Sequence, residues 1–379
     1  MKRSARQRRD FLATAALLLL VAAAAPAVAG GPSWCLPPLF EGGQRLHAMP
    51  APTAFWLAPL LRQHELCHAA RARPDEPRAI LIGNSAVFGH PLPAAAALGG
   101  RLNQLLAVHG VPGRVYNLGW VNAYELRDAV ILNAALDYQP DLIIYPLTLA
   151  DFQHGAPSLF EPIAAFFASN DSAVRDLARA RPAGLEEPFD RYESAYAHGW
   201  RAQGYWARLR DLGTLARTAA QTNATALARW ADPTLRPPVY GTTGRVKTYD
   251  CLEVTEREEL TYRDWQSWNV LAYLDQLRAS SGVQVLVVNW PVAYEPVGAC
   301  FNARHSAAAI EEFNRWLRAE CAARNLPFVD LHDLLAADQF FDSIHPIAEG
   351  HRRIAEQLAP AVESALRVRR ADAQRTSTP

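Results

Sequence analysis

Five short apolar runs recur along the chain, at residues 79–83, 114–118, 141–147, 283–289 and 327–331. Each is rich in Ile, Val and Leu and lacks the apolar–polar alternation of a half-exposed strand, which is the composition expected of strands covered on both faces. Between these runs, residues 94–109, 124–136, 262–279 and 307–324 repeat apolar positions every three or four residues, and residues 348–367 do so after the last run. That spacing gives a helix one apolar face. Strands alternating with helices predict parallel strands joined by helical crossovers. The expected architecture is a three-layer α/β/α sandwich built on a doubly wound, parallel five-stranded sheet, with ligands bound beyond the carboxyl ends of the strands, where the strand order reverses.

This arrangement is of the flavodoxin-like kind, and it is interrupted once. Residues 153–257 are too many for a structureless loop in a compact domain. They contain helical stretches at 163–180 and 192–229 and a turn-rich section at 233–250, so a helical insertion after the third strand is expected, overhanging the carboxyl edge of the sheet. At the other extreme, Lys2, Arg3, Arg6, Arg8 and Arg9 precede an apolar run at 11–25 and the small residues Ala27-Val28-Ala29. Residues 1–29 therefore read as an export signal, and Arg8-Arg9-Asp10-Phe11-Leu12 resembles a twin-arginine signal. An uncleaved anchor is the rival, because the apolar stretch approaches the roughly 20 residues that span a bilayer. Residues 30–78 form a Pro-rich extension with a short helix near 60–71 and a linker at 73–77, residues 79–370 form the folded domain, and residues 371–379 a polar tail expected to fray.

Of the 379 residues 50% are hydrophobic, enough for one large core, and the formal net charge is zero, so no long-range field draws the chain to nucleic acid. The five cysteines, Cys35, Cys67, Cys251, Cys300 and Cys321, all follow the signal and would meet an oxidising compartment. Cys35 with Cys67 and Cys251 with Cys300 are the preferred pairs, each stapling irregular sequence, with buried free thiols as the alternative.

The candidate chemistry sits at the two ends of the domain. Gly83-Asn84-Ser85 follows the first apolar run and so puts a hydroxyl at the carboxyl edge of the sheet, while Asp342-Ser343-Ile344-His345-Pro346 just precedes the last helix. A serine is a weak nucleophile until a base takes its proton, and an Asp three residues before a His supplies the base and the carboxylate that orients it from one turn. Because Ser85 is followed by Ala86-Val87, the nucleophile elbow Gly-x-Ser-x-Gly of α/β-hydrolases is incomplete.

These blocks resemble those of the SGNH, or GDSL-like, hydrolases, whose first block is Gly-Asp-Ser and whose last is Asp-x-x-His-Pro. The family's second block needs a Gly after the second strand, and Gly119 in Val115-Tyr116-Asn117-Leu118-Gly119 supplies it. The third block departs: where the family has Gly-x-Asn-Asp, this chain has Thr148-Leu149-Ala150-Asp151. The resemblance implies a serine esterase without a cofactor, with Ser85, His345 and Asp342 as the catalytic residues. It also implies an oxyanion hole from the N–H groups of Ser85 and Gly119, with the Thr148 hydroxyl as the substitute for the absent Asn. Gly119 read by itself is either such a donor or a tight strand-to-helix turn. The weak third block and large insertion further resemble exported members that work on polysaccharide O-acyl groups beside membrane-bound O-acyltransferases. O-acylated carbohydrate is thus the expected substrate, with lipid or small esters next.

Two readings from other classes stand against this one. His64-Glu65-Leu66-Cys67-His68 matches the zinc-peptidase pattern His-Glu-x-x-His, although the extended third-ligand spacing falls on Pro74. A non-catalytic polysaccharide-binding relative is the other. Trp200, Trp206, Trp230, Trp265 and Trp268, with neighbouring tyrosines, would form either core at helical spacing or a platform for sugar rings.

Overall fold

Five strands, β1 (Arg78–Leu81), β2 (Arg114–Asn117), β3 (Leu142–Leu147), β4 (Gln284–Asn289) and β5 (Phe328–Asp330), pair in the order β2-β1-β3-β4-β5, every neighbouring pair parallel. The structure is a computed structural model and describes residues 35, 61, 64–120, 125–152, 270–293, 307–342 and 344–376. Seven α-helices lie among those residues: α1 (Glu65–Ala72), α2 (Ser85–Phe88), α3 (Leu98–Val108), α4 (Glu125–Ala135), α5 (Val270–Ser281), α6 (Ala307–Ala323) and α7 (Ala348–Thr376).

The sandwich follows from the period of two along each strand. Ile80, Ile143, Tyr145, Val285 and Val287 pack on one face against Leu66 of α1, Leu132 of α4, Leu274 of α5 and Phe313 of α6. The residues between them, Ala79, Leu81, Ile144, Leu286 and Val288, pack on the other face against Leu102 of α3 and Leu358 of α7. Both alternating sets are buried, which is why the runs lack polar alternation. The expected α/β/α sandwich with a five-stranded parallel sheet is the fold observed.

Element ends shifted by a residue or two, residues 262–269 of the helix expected over 262–279 lie outside the described residues, and two differences have physical causes. The helix expected over 94–109 divides into a 3-10 turn, Ala94–Ala96, and α3, because Ala97 is extended and turns Leu98 onto the sheet. The last helix, expected to end near 367 and to leave a frayed tail, runs on to Thr376, since residues 367–376 contain good helix formers and neither Gly nor Pro.

Strand β2 is an edge, and its outward groups are covered. The Asn103 amide acts as a substitute strand: Val115 N–H donates to Asn103 Oδ1 at 2.8 Å, and Asn103 Nδ2 donates to Val115 O at 2.9 Å. Such cover keeps an edge from templating another chain. At the amino end of β1, the buried Arg78 guanidinium donates to the carbonyls of Arg73, Pro74, Glu76, Tyr138 and Gln139, tying the linker to the turn before β3.

Cys35 and Cys67 form the expected disulfide, and Cys321 is a buried free cysteine whose thiol is pushed up to about 12 by burial. The signal or anchor at 1–29, the insertion at 153–257 with its aromatics, and Cys251 and Cys300 lie outside the described residues. Among the described residues no helix is long and apolar enough to cross a membrane.

Candidate active site

The chain leaves β1 toward the site because Gly83 lets it turn. Gly83 has φ 152°, and a Cβ there would lie 2.8 Å from Val87 Cγ2, so a side chain would be strained and would clash. Asn84 follows in extended conformation as the N-cap of α2: its Oδ1 accepts from Ala86 N–H at 2.9 Å. Ser85 is thereby the first residue of α2, with an N–H that has no acceptor within the helix. It stands beyond the carboxyl end of β1, which lies between β2 and β3, where the strand order reverses.

The opposite end of the domain brings His345 to the same place. Asp342 Oδ1 accepts from the N–H groups of Ile344 and His345, each at 2.9 Å, closing a tight turn. Trp290, directly after β4, donates from its indole N–H to Ile344 O at 3.2 Å and pins that turn to the sheet. His345 Nδ1 then lies 2.7 Å from Asp342 Oδ2, and His345 Nε2 lies 2.7 Å from Ser85 Oγ, a contact spanning 260 residues of sequence. With Nδ1 facing a carboxylate, the proton belongs on Nδ1, and Nε2 accepts from the Ser85 hydroxyl. Burial alone would raise the Asp342 carboxyl, but the His345 ring and the two N–H groups outweigh it and hold the carboxyl below the usual range. The His345 side chain is 15% exposed and that of Asp342 24%, so the relay is shielded yet reachable. The His90 ring, two residues beyond α2, stands edge-on to His345 with centroids 6.3 Å apart.

The other expected oxyanion donors are placed differently. Gly119 sits against α2, where a Cβ would be 2.9 Å from Phe88 N, and its N–H donates to Asn117 Oδ1 at 2.9 Å. Asn117 Nδ2 donates to Val87 O at 3.1 Å, so one amide fastens the end of β2 to α2. Thr148 is buried, and its N–H and hydroxyl both donate to Asp151 Oδ2, at 2.6 and 2.9 Å. The Thr148 hydroxyl is thus committed to a neighbouring carboxylate and is not the substitute for the missing Asn. Asp151 Oδ1 accepts from Asn84 Nδ2 at 2.8 Å.

The zinc-peptidase pattern also has another use. His64 is not on the helix face but caps it: its Nδ1 accepts from Leu66 N–H at 3.1 Å, and its Nε2 lies 3.2 Å from Asn117 O. Both ring nitrogens are engaged and Cys67 is in the disulfide, so His64 and His68 do not form a ligand pair.

Asn84, Asn117 and Asp151 fall within the blocks read from the sequence but carried no contact of their own there, and Trp290 was not singled out. Their common signal is position: each stands at, or a few residues after, the carboxyl end of a strand.

The profile of the GDSL-like Lipase/Acylhydrolase family matches residues 81–353, from the end of β1 into the last helix. No curated protein sequence matches the chain. Among solved structures, a carbohydrate acetylesterase family member from Sinorhizobium meliloti is 15% identical, with 76% of this chain and 99% of that chain covered and a TM-score of 0.37. A GDSL-like lipase from Bacteroides thetaiotaomicron is 12% identical, with 82% of this chain and 99% of that chain covered and a TM-score of 0.39. A profile match extending over most of the chain, with the Gly-x-Ser turn and the Asp-x-x-His turn at its two ends, makes this protein a member of the GDSL-like lipase/acylhydrolase family.

Proposed function

We propose that the chain is an exported serine esterase or O-acyltransferase acting on O-acyl esters, acetyl foremost, of an envelope or secreted polysaccharide. The observation that carries the chemistry is the unbroken hydrogen-bond chain from Ser85 Oγ through His345 to Asp342. Ser85 Oγ attacks the ester carbonyl carbon as its proton passes to His345 Nε2, and Asp342 holds the imidazolium that results. The C–O bond to the sugar then breaks, His345 returns the proton to the departing alkoxide, and the acyl group stays on Ser85. Water or a second sugar hydroxyl, deprotonated by His345, takes the acyl group and restores the serine. The Ser85 N–H at the start of α2 is the nearest donor for the oxyanion.

The substrate class rests on sequence: the signal-like residues 1–29, the oxidising compartment implied by Cys35 and Cys67, and the departure of the third block. A membrane-bound O-acyltransferase is the partner that such chemistry would pair with. The test is labelling with a fluorophosphonate probe, location of the adduct, and turnover of acetylated oligosaccharide against a small activated acetyl ester and a fatty acyl ester. An adduct on Ser85, lost in Ser85→Ala together with all turnover, is the expected result. Undiminished turnover in Ser85→Ala removes the mechanism, and preference for the fatty acyl ester replaces the substrate class.

A further inference from the structure

Asp151 takes no part in the proton relay, yet its carboxylate bears on the nucleophile through a single side chain. Three donors converge on its two oxygens: Asn84 Nδ2 at 2.8 Å on Oδ1, and the Thr148 N–H at 2.6 Å and hydroxyl at 2.9 Å on Oδ2. Asn84 spends its other amide atom on the Ala86 N–H, and in that way sets the first turn of α2, where Ser85 stands. Asn84 is only 2% exposed, so water has no ready access to replace Asp151 as the acceptor. We propose that ionised Asp151 is a positioning residue for the reaction: by holding Asn84 it fixes the start of α2, and hence the direction of Ser85 Oγ and of the Ser85 N–H that receives the oxyanion. The inference rests on Ser85 being the nucleophile.

An acceptor-only group suits this place. A carboxylate has lone pairs for all three donors, whereas a protonated acid would turn an O–H toward one of them and loosen either Asn84 or Thr148. Burial pushes the Asp151 carboxyl up to about 6, against the pull of Asn84 and Thr148, and the Asp128 carboxylate of α4 raises it further. The group is therefore ionised at neutral pH and loses that form on mild acidification. Removing it frees the Asn84 amide to rotate, which takes the cap from Ala86 and the aim from Ser85.

The test uses the whole chain, kcat and KM on an activated acetyl ester, and the rate of Ser85 labelling by a fluorophosphonate. Asp151→Asn should lower kcat and the labelling rate by about ten- to a hundredfold, with KM within about twofold and the melting temperature not lowered. The reciprocal exchange, Asn84→Asp combined with Asp151→Asn, keeps one carboxylate and one amide in the same contact, and should recover kcat to within about threefold of the parent. The acid limb of kcat should be less steep in Asp151→Asn than in the parent, because the protonation of Asp151 is absent from the variant. Parental kcat in Asp151→Asn, an identical acid limb in both proteins, or a double variant no better than the product of the singles overturns the proposal. If Asp151→Asn does not fold, the double variant decides: folded and active supports the proposal, while inactive or unfolded overturns it. Should Ser85→Ala retain turnover, the underlying mechanism fails instead, whereas an inactive Ser85→Ala beside an unimpaired Asp151→Asn sinks only the role of Asp151.

Discussion

The two ends of the sheet use polar groups in opposite ways. At the amino end, the guanidinium of Arg78 is spent on backbone: it reaches the carbonyls of Arg73, Pro74, Glu76, Tyr138 and Gln139, and the Arg78 N–H itself donates to Asp141 Oδ2 at 2.8 Å. The result is a closed cluster whose role is to join a linker, a strand and a turn. At the carboxyl end, Ser85, His345 and Asp342 are also hydrogen-bonded to one another, but their bonds run in one direction and end on a hydroxyl that an ester can reach. Polar groups in a protein interior hold structure where every donor and acceptor is matched, and do chemistry where one atom is left for a substrate. The amino end should therefore answer to stability measurements and the carboxyl end to kinetics.

The largest departure expected is at Asp342. Asp342→Asn keeps the shape of the turn but presents the wrong partner to His345 Nδ1, so turnover of an activated acetyl ester should fall by about a thousand- to ten-thousandfold with little change in thermal unfolding. A variant that unfolds but shows parental turnover per folded molecule would place Asp342 with Arg78, among the groups that only hold the fold.

Arg78→Met is the complementary change. It strips the donors from the buried carbonyl of Tyr138 and from partly buried carbonyls at both flanks of β1, and denaturant unfolding should show a loss of about 2 kcal/mol or more. Activity per folded molecule should stay within about twofold, because nothing in the cluster reaches the carboxyl edge. A selective fall in kcat with stability intact would erase the contrast.

Dependence on pH sharpens it within the site. Asp151, whose carboxyl is raised from the ordinary 3.8 to about 6 by burial, is easier to protonate folded than unfolded. Its contribution to stability is full below pH 4 and is lost as pH rises to about 6, a cost of about 3 kcal/mol at neutral pH. Asp342 has the opposite sign: its carboxyl is lowered, so its contribution is present above the ordinary value and disappears as pH falls below it. Unfolding of Asp151→Asn compared with the parent from pH 4 to pH 7 should favour the variant progressively, and a constant difference would show that the buried carboxylate costs the fold nothing.

The smallest effect is expected at His64, which belongs to both regions: it caps α1 in the N-terminal extension and touches Asn117, the last residue of β2. His64→Ala should cost about 1 kcal/mol from the lost cap and buried contact, with turnover reduced only a fewfold and no response to zinc or a chelator. Activity abolished by a chelator and restored by zinc would revive the metal reading against the geometry.

Much of this was legible in the order of residues. Burial of both faces of a parallel sheet leaves a composition that pattern reveals, and so the strands and the layers could be read directly from residues 79–147 and 283–331. The Gly-x-Ser turn and the Asp-x-x-His turn were legible for a local reason: each is a short motif whose shape is set by its own residues, Gly83 by its freedom at φ 152° and Asp342 by bonds to the N–H groups two and three positions on. Tertiary structure decided what lies between the motifs. Whether Thr148 faces the site or Asp151, whether the Gly119 N–H is open or held by Asn117, and whether His64 binds a metal or caps a helix depend on which atoms the crossovers bring together. Those contacts join separate strand ends, and spacing along the chain carries no record of them, because hydrogen bonding in the interior is settled by which donors and acceptors must be matched once water has left.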